Sequence, residues 1–292
     1  MFIPEALKSD VFNAKNPPKD FADVAFLVPH EGLRRMVSAF SNSVSALKED
    51  YPDEEHWKVL YFSEWYLDYF FPIVVDHHKN EEAIYFPAIK TKGVDVPERL
   101  TQTHDDLVDL LKKTQKSCEA VVAKNGIKCS EEIKQLKSSV EFLTTDLIGK
   151  YEKMFVIICV LNLTVSKIGR HFFFTEHLNE EETIFPPLVR EKFTEAEHQK
   201  VIDSIVQKEG LTGTRLFLPV ILEALKEWAT PEFVNGFVGS MPPPIRSLFF
   251  NYYVPDYETH ASQLRDAPLA DKKPSLSKVP CCKIPFCIPC IC

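Results

Sequence analysis

Two segments of this 292-residue chain place a histidine and a glutamate four residues apart. They read HHKNEEAIYFP from His77 to Pro87 and HLNEEETIFP from His177 to Pro186. On an α-helix, residues i and i+4 share one face about 6 Å apart, so one imidazole and one carboxylate can bind the same ion. Two such helices facing each other predict a site for two metal ions.

Further histidines lie on the apolar faces of two other predicted helices. His30 shares a face with Leu33, Val37 and Phe40, and His104 recurs in phase with Leu107. Imidazole with carboxylate suits iron, with manganese or zinc as alternatives, and carboxylates that bridge favour a dinuclear centre. The predicted ligands are His30, His77, Glu81, His104, His177 and Glu181.

The ordinary alternative is that these histidines are satisfied core or surface residues and that the acidic runs are solvated helix faces. A single histidine and glutamate at this spacing is most often a surface contact. The two segments, however, share a second acid beside the first, an isoleucine at the same offset and an aromatic-proline ending. This parallel favours the metal site.

Helical periodicity divides the chain into four parts. We predict an arm over 1–20, a helical bundle over 21–210, a helical extension over 211–266, and a disordered, cysteine-rich tail over 267–292. Pro29 is expected in the first turn of the first helix, Pro72 is expected to kink the second, and Gly210 is expected to end a helix that a capping box opens at Thr194.

The apolar run that begins at Met154 breaks the helical rhythm. Without residues of about 154–176, the helix before the second motif would match the others in length, so we predict an insertion or a translated intron there. The run is too short to span a bilayer, which needs about 20 apolar residues.

Composition limits the classes of function. A formal net charge of -8 argues against nucleic-acid binding, which needs a concentrated basic face. The N-terminal sequence lacks the apolar core of a secretory signal, so we expect a cytoplasmic, thiol-reducing location. The tail holds five cysteines among apolar residues and lysines, namely Cys281, Cys282, Cys287, Cys290 and Cys292. S-acylation and peripheral membrane attachment, a zinc site, and an unmodified tail all remain open for these cysteines.

The other histidines are weaker candidates. His78 lies one step off the ligand face and is expected behind the ligands or at the surface. We expect His56 and His260 to be exposed and His198 to be structural, while His171 lies in the predicted insertion.

At these motifs the chain resembles the hemerythrin-like (HHE cation-binding) family over roughly residues 20–200. The resemblance implies an all-α, up-down four-helix bundle with a non-haem di-iron centre, in which Glu81 and Glu181 bridge the irons. Oxygen-carrying members place a second histidine on the third helix where this chain has Val108. The site is then one imidazole short, and Glu82, His78 or Glu182 are the candidate substitutes.

The sequence thus favours a di-iron protein that binds or senses oxygen or iron, with dioxygen or a small oxidant as its partner. One alternative is a di-iron oxidase or peroxidase. The other is a metal-free helical interaction module.

Overall fold

The computed structural model describes residues 18–144 and 174–276, and within these ranges every regular element is a helix. This confirms the all-α prediction for the described part of the chain. The long helices are α1 (Phe21–Ala46), α2 (57–90), α3 (Glu98–Ala123), α4 (Ser130–Thr144), α5 (Phe174–Lys192), α6 (Glu195–Trp228), α7 (Pro231–Ser240) and α8 (243–265). Short 3-10 turns lie at Asp53–Glu55 and Ala267–Leu269.

Helix α1 begins earlier than its proline suggested. The Asp20 side chain caps it by accepting hydrogen bonds from the backbone N–H groups of Ala22 and Asp23. Pro29 therefore lies inside the helix, and the prediction that it occupies the first turn is wrong. The early start gives α1 the length to carry His30 into the middle of the fold.

Helix α2 contains two wide turns that its prolines explain. Its α-helical segments Trp57–Trp65, Phe71–Asn80 and Phe86–Lys90 are joined by π-helical turns at Tyr66–Phe70 and Glu81–Tyr85. Each π turn ends two residues before a proline, Pro72 or Pro87. A proline has no N–H to donate and crowds the carbonyl four residues earlier, and a widened turn relieves both problems. The disturbance expected at Pro72 thus takes this form.

The main core lies where α1, α2, α3, α4 and α5 meet. Helix α1 contacts α4, α5 and α6, while α3 packs against both α2 and α4. The fully buried aromatic side chains here are Phe40, Phe62, Trp65, Tyr66, Phe70 and Phe174. This core fixes the helices around the predicted ligands.

The C-terminal helices cover one side of the core. A capping box at Thr194 and Glu197 opens α6, as predicted. Gly210 does not end that helix: with φ 58° it forms a kink, and the helix resumes to Trp228. The predicted disorder from residue 267 is wrong at its start, because Ala267 is fully buried in a 3-10 turn.

Several expectations fall outside the described residues. They concern most of the arm, the insertion up to residue 173, His171 and the cysteine-rich end of the tail. Phe174, inside the expected insertion of 154–176, is buried in the core. The domain boundaries stay predictions. Among the described helices, none is both long and apolar enough to cross a membrane.

Candidate metal centre

The six predicted ligands meet in the interior between α1, α2, α3 and α5. Five of them are buried, and the side chain of His77 is 9% exposed. Nε2 of His77 lies 3.1 Å from Glu81 Oε1, and Nε2 of His30 lies 3.5 Å from Glu181 Oε2. Nε2 of His104 lies 3.6 Å from Glu81 Oε2 and 3.5 Å from Glu181 Oε1. The two glutamates therefore lie between histidines of different helices.

His78 joins this cluster, contrary to the expectation that it lies behind the ligands or at the surface. Its side chain is buried, and its ring centroid is 4.7 Å from that of His104 and 5.6 Å from that of His177. Nε2 of His104 and Nε2 of His177 are 2.9 Å apart. Three imidazoles thus converge on one point.

Helix geometry explains why neighbouring histidines reach different sides of the centre. Successive residues of an α-helix are about 100° apart, so His77 and His78 diverge by that angle and residue 81 projects about 40° from residue 77. Glu81 therefore points between the two imidazoles. His77 faces α1, with its ring 5.4 Å from that of His30, while His78 faces α3. The sequence signal for His78 as a ligand was its position beside His77, because the two histidines project on either side of Glu81.

Three overlapping groups of side chains could each hold a metal ion, since their ligand atoms lie within 4.8 Å of one another. The groups are His30, His77 and Glu81; His78, His104 and His177; and Glu81, His104 and Glu181. Glu81 and His104 each belong to two groups. The cluster is therefore continuous, with a two-imidazole end and a three-imidazole end.

Three of the imidazoles are oriented through their other ring nitrogen. Nδ1–H of His30 donates to Glu182 at 2.9 Å, and Nδ1–H of His104 donates to Glu82 at 2.8 Å. Nδ1–H of His78 donates to a backbone carbonyl of its own helix at 2.7 Å. A neutral imidazole held in this orientation would present its Nε2 lone pair to a metal ion.

Glu182 is held in turn by a buried arginine. Arg34 donates to Glu182 at 2.7 Å and to the side-chain oxygen of Asn179 at 2.8 Å, and its side chain is completely buried. Burial opposes ionisation of Glu182, but Arg34 and His30 outweigh it and lower its pKa to about 2. The carboxylate therefore stays charged and keeps accepting from His30.

Electrostatics favour neutral ligands at the three-imidazole end. Burial, and then the nearby charge of His104, lowers the pKa of His78 and of His177 well below the ordinary value of 6.5. Burial also lowers the pKa of His104, but the nearby carboxylates of Glu181 and Glu82 raise it to about 10 overall. At neutral pH, His78 and His177 are therefore already in the form that binds metal.

The central carboxylates repel each other in the absence of a cation. Burial and the charge of Glu81 raise the pKa of Glu181. Burial opposes ionisation of Glu81 too, yet His77 and His30 hold its pKa well below the ordinary range. A metal ion between the two glutamates would compensate both charges.

Unsatisfied polar atoms show that these residues fit a metal. Nε2 of His30, His77 and His78, and both carboxylate oxygens of Glu181, are buried without a hydrogen bond to any described residue. Buried polar atoms are normally paired, because leaving one unpaired costs about 1–3 kcal/mol. These atoms all point into the cluster, as ligand atoms of a metal centre would.

The remaining expectations have mixed outcomes. His198 is buried and its Nε2 accepts from the Tyr85 hydroxyl at 2.9 Å, in line with a structural role. His56 and His260 are half-buried rather than exposed, and Nε2 of His56 lies 2.9 Å from the carbonyl oxygen of Tyr51.

One side of the centre borders a cavity of about 900 Å³ between α1, α2, α6 and α7. His30, His77 and Glu81 line it, whereas the three-imidazole group does not. The two-imidazole end is therefore the accessible end of the cluster.

Comparison with known proteins is consistent with this geometry. Residues 25–147 match the family model of the hemerythrin HHE cation-binding domain, which confirms the resemblance over α1 to α4 and indicates cation binding. The matched range includes His30, the first motif and His104, and it ends before His177 and Glu181. Searches of curated proteins and of solved structures gave no match.

Proposed function

We propose that this protein, whose residues 25–147 match the hemerythrin HHE cation-binding domain, holds two iron ions and binds or senses dioxygen or a small oxidant. Five imidazoles would hold the irons, with His30 and His77 at one end of the cluster and His78, His104 and His177 at the other. Glu81 and Glu181 would supply the carboxylates between them. Helices α1, α2 and α3, with α4 and α5 together as the fourth, form the up-down bundle of hemerythrin type.

One observation carries the proposal. Buried ligand atoms of His30, His77, His78 and Glu181, on three helices, point into one cluster without a hydrogen bond to any described residue, and the candidate metal groups overlap at Glu81 and His104. In an ordinary hydrophobic core, such polar groups would be hydrogen-bonded or absent. Imidazole with carboxylate also suits manganese and zinc, so the identity of the metal is part of the test.

The chain itself prepares the site for an incoming ligand. When bound, the iron pair supplies reversible electron transfer to dioxygen or an oxidant. Glu82 and Glu182 hold the imidazole tautomers of His104 and His30. The buried rings of Phe86, stacked on His104 at 5.6 Å, and of Phe174, 6.2 Å from His78, help to keep water from the three-imidazole end. The two-imidazole end, with fewer nitrogen ligands, is the one that borders the cavity.

Metal analysis of anaerobically purified protein tests the proposal. We expect about two irons per chain, together with a change in the visible absorption spectrum when oxygen is admitted. The variants His78→Ala and His177→Ala should each lower the metal content. His56→Ala is the matched control, because that histidine lies outside the cluster.

Less than one metal per chain in the wild type, with the two variants unchanged, would defeat the proposal. A metal-free helical module would behave in this way, and chelation would not alter its stability. Two bound zinc or manganese ions would instead support the two-metal centre and contradict the assignment of iron.

A second candidate, a di-iron oxidase or peroxidase, gains support from the cavity beside His77. A reaction on an organic molecule needs space next to the metal, and a cavity of about 900 Å³ supplies it. Turnover of peroxide or ferrous iron by the loaded protein, abolished in Glu81→Ala, would favour the enzyme. A stable oxygen adduct without turnover would favour binding.

The cysteine-rich tail keeps its separate proposal, which is peripheral membrane attachment through acylation of Cys281, Cys282, Cys287, Cys290 and Cys292. The acidic net charge still argues against a nucleic-acid partner. Hydroxylamine-sensitive labelling of the full chain, lost when the five cysteines are replaced by serine, is the expected result. Unlabelled wild-type protein recovered from cells would contradict acylation.

A further inference from the structure

We propose that the cavity beside His30 and His77 binds an uncharged small molecule that is mainly hydrocarbon and carries one hydroxyl group at the histidine end. The placement of the hydroxyl rests on the proposed metal centre. Binding of the hydrocarbon part does not, since it depends only on the shape and apolar wall of the cavity.

The size and wall of the cavity suit an organic molecule. Its volume of about 900 Å³ lies within the range of roughly 300–1,000 Å³ that small-molecule sites occupy. Apolar side chains come from α1 (Val24, Val28), from α6 (Ile205, Phe217) and from α7 (Phe237). A cavity that served only dioxygen would need a small part of this space.

The far wall belongs to α6 and α7, which lie beyond the residues that match the HHE domain. The kink at Gly210 lies in this wall, and no described atom would contact a Cβ added there. The C-terminal helices therefore add to the matched domain a half-open apolar cavity that borders one end of the cluster.

The polar atoms of the wall set the orientation of a ligand. His30, His77 and Glu81 lie together at the centre, with Tyr85 and His198 nearby, whereas most other lining residues are apolar. A molecule with a single polar group loses least hydration energy when that group meets these side chains and its hydrocarbon part meets the apolar wall.

The charges of the wall favour an uncharged ligand. Its carboxylates are Asp76, Glu81, Glu195 and Glu209, and among the described lining residues there is no lysine or arginine. The ammonium group of Lys208, which is not a lining residue, donates to the lining residue Asn80 at 2.8 Å. Bound metal would attract an anion, but Glu81 and Glu181 offset part of that charge. Away from the metal, an added carboxylate would meet the like charges of Asp76, Glu195 and Glu209.

Displacement of the neutral fluorophore 1-aminoanthracene from the full-length, metal-loaded protein tests the proposal. We expect 4-heptylphenol to displace the fluorophore, with affinity rising about fourfold for each methylene from 4-propylphenol upward. The anion 4-heptylbenzoate should bind at least about tenfold more weakly than the phenol. Equal or tighter binding of the benzoate would contradict the uncharged ligand.

Two pairs of variants localise the binding. Ile205→Trp fills the cavity and should weaken 4-heptylphenol at least about tenfold. Gln207→Trp adds the same side chain at an exposed position of the same helix outside the cavity and should leave binding unchanged. Val206→Lys adds a cation to the half-exposed rim of the cavity and should strengthen the binding of 4-heptylbenzoate several-fold. Unfolding of the variant could not produce tighter binding. Gln207→Lys should leave the affinity for 4-heptylbenzoate unchanged.

Metal content, measured on the same preparations, separates this inference from the proposed function. In one outcome, protein without metal still binds the probe, with weaker binding in Ile205→Trp. That result would support the ligand cavity and contradict the proposed metal centre. If the protein holds two metal ions and binds no displaceable probe, the ligand site is contradicted, because other residues of the chain or solvent would then fill the cavity.

Discussion

At the scale of single residues, the two adjacent glutamates of each motif have different roles. The first of each pair, Glu81 or Glu181, points into the centre. The second reaches a histidine of a neighbouring helix: Glu82 accepts from His104. Glu182 accepts from His30 in the same way. Each motif therefore offers ligands and also orients a ligand of another helix.

Glu82→Ala should weaken metal binding by about 10- to 100-fold, because His104 would lose the acceptor that fixes its tautomer and orientation. Competition with a chromophoric chelator measures the affinity. Glu180→Ala is the matched control: Glu180 is a half-buried neighbour of the second motif that pairs with Arg99 instead of a histidine. Equal effects of the two variants would show that lost surface charge, and not orientation, is responsible.

His198 predicts a loss of stability in mild acid. Burial lowers its pKa from 6.5 to about 4, so between these values the unfolded chain binds a proton that the folded chain does not. Stability therefore falls as pH falls from 6.5 to 4, by about 2 kcal/mol at pH 5 from this group. Below pH 4 both states bind the proton, and the loss stops growing.

The variant His198→Gln should remove this loss, since its amide oxygen can accept from Tyr85 without titrating. The measurement is the free energy of unfolding in urea at pH 7 and pH 5. The difference between the two pH values should be about 2 kcal/mol smaller in the variant. The same difference in both proteins would mean that other groups cause the acid sensitivity.

At the scale of elements, the loop between α3 and α4 depends on one glycine. Gly126 has φ 77°, and a Cβ there would lie 2.5 Å from the carbonyl oxygen of His56. Gly93 has the similar φ of 76° but open space around it. The two glycines thus separate backbone strain from a steric clash.

Gly93→Ala should cost about 1 kcal/mol of unfolding free energy, which is the cost of the left-handed conformation alone. Gly126→Ala should cost at least about 1 kcal/mol more, because the chain must also move away from His56. Urea denaturation of the three proteins measures both. Equal costs would mean that this contact relaxes freely.

At the scale of the whole molecule, a buried ionic network joins the C-terminal helices to α1. Glu223 of α6 accepts from Arg35 of α1 at 3.2 Å, from Arg265 of α8 at 3.3 Å and from the Tyr257 hydroxyl at 2.7 Å. Arg35 also pairs with Glu227. The network holds α6 over the cavity and therefore over the accessible end of the centre.

Glu223→Ala should lower the unfolding free energy by about 2 kcal/mol, since the buried guanidinium groups of Arg35 and Arg265 each lose one carboxylate partner while keeping Glu227 and Asp266. Limited proteolysis should also cut α6 to α8 before α1 to α3. Glu232→Ala, at an exposed glutamate of α7, should change neither result. Uniform proteolysis of Glu223→Ala would show that the network does not hold these helices separately.

The sequence by itself determined the helices and six residues of the candidate site. Apolar periodicity, capping residues and i,i+4 spacing act within single helices, so they can be read along the chain. His30, His77, Glu81, His104, His177 and Glu181 accordingly meet in the structure. The prediction that Gly210 ends a helix is wrong, because a residue in the left-handed region can also kink a helix that then continues.

Only the tertiary structure decided what lies between helices. His78 looked misplaced on its own helix, yet α3 and α5 surround it with His104 and His177. The role of Glu82, and the cavity between α1 and the C-terminal helices, likewise depend on which helices are neighbours. Neighbours are chosen by the burial of whole faces, and that choice is not encoded at any fixed spacing along the sequence.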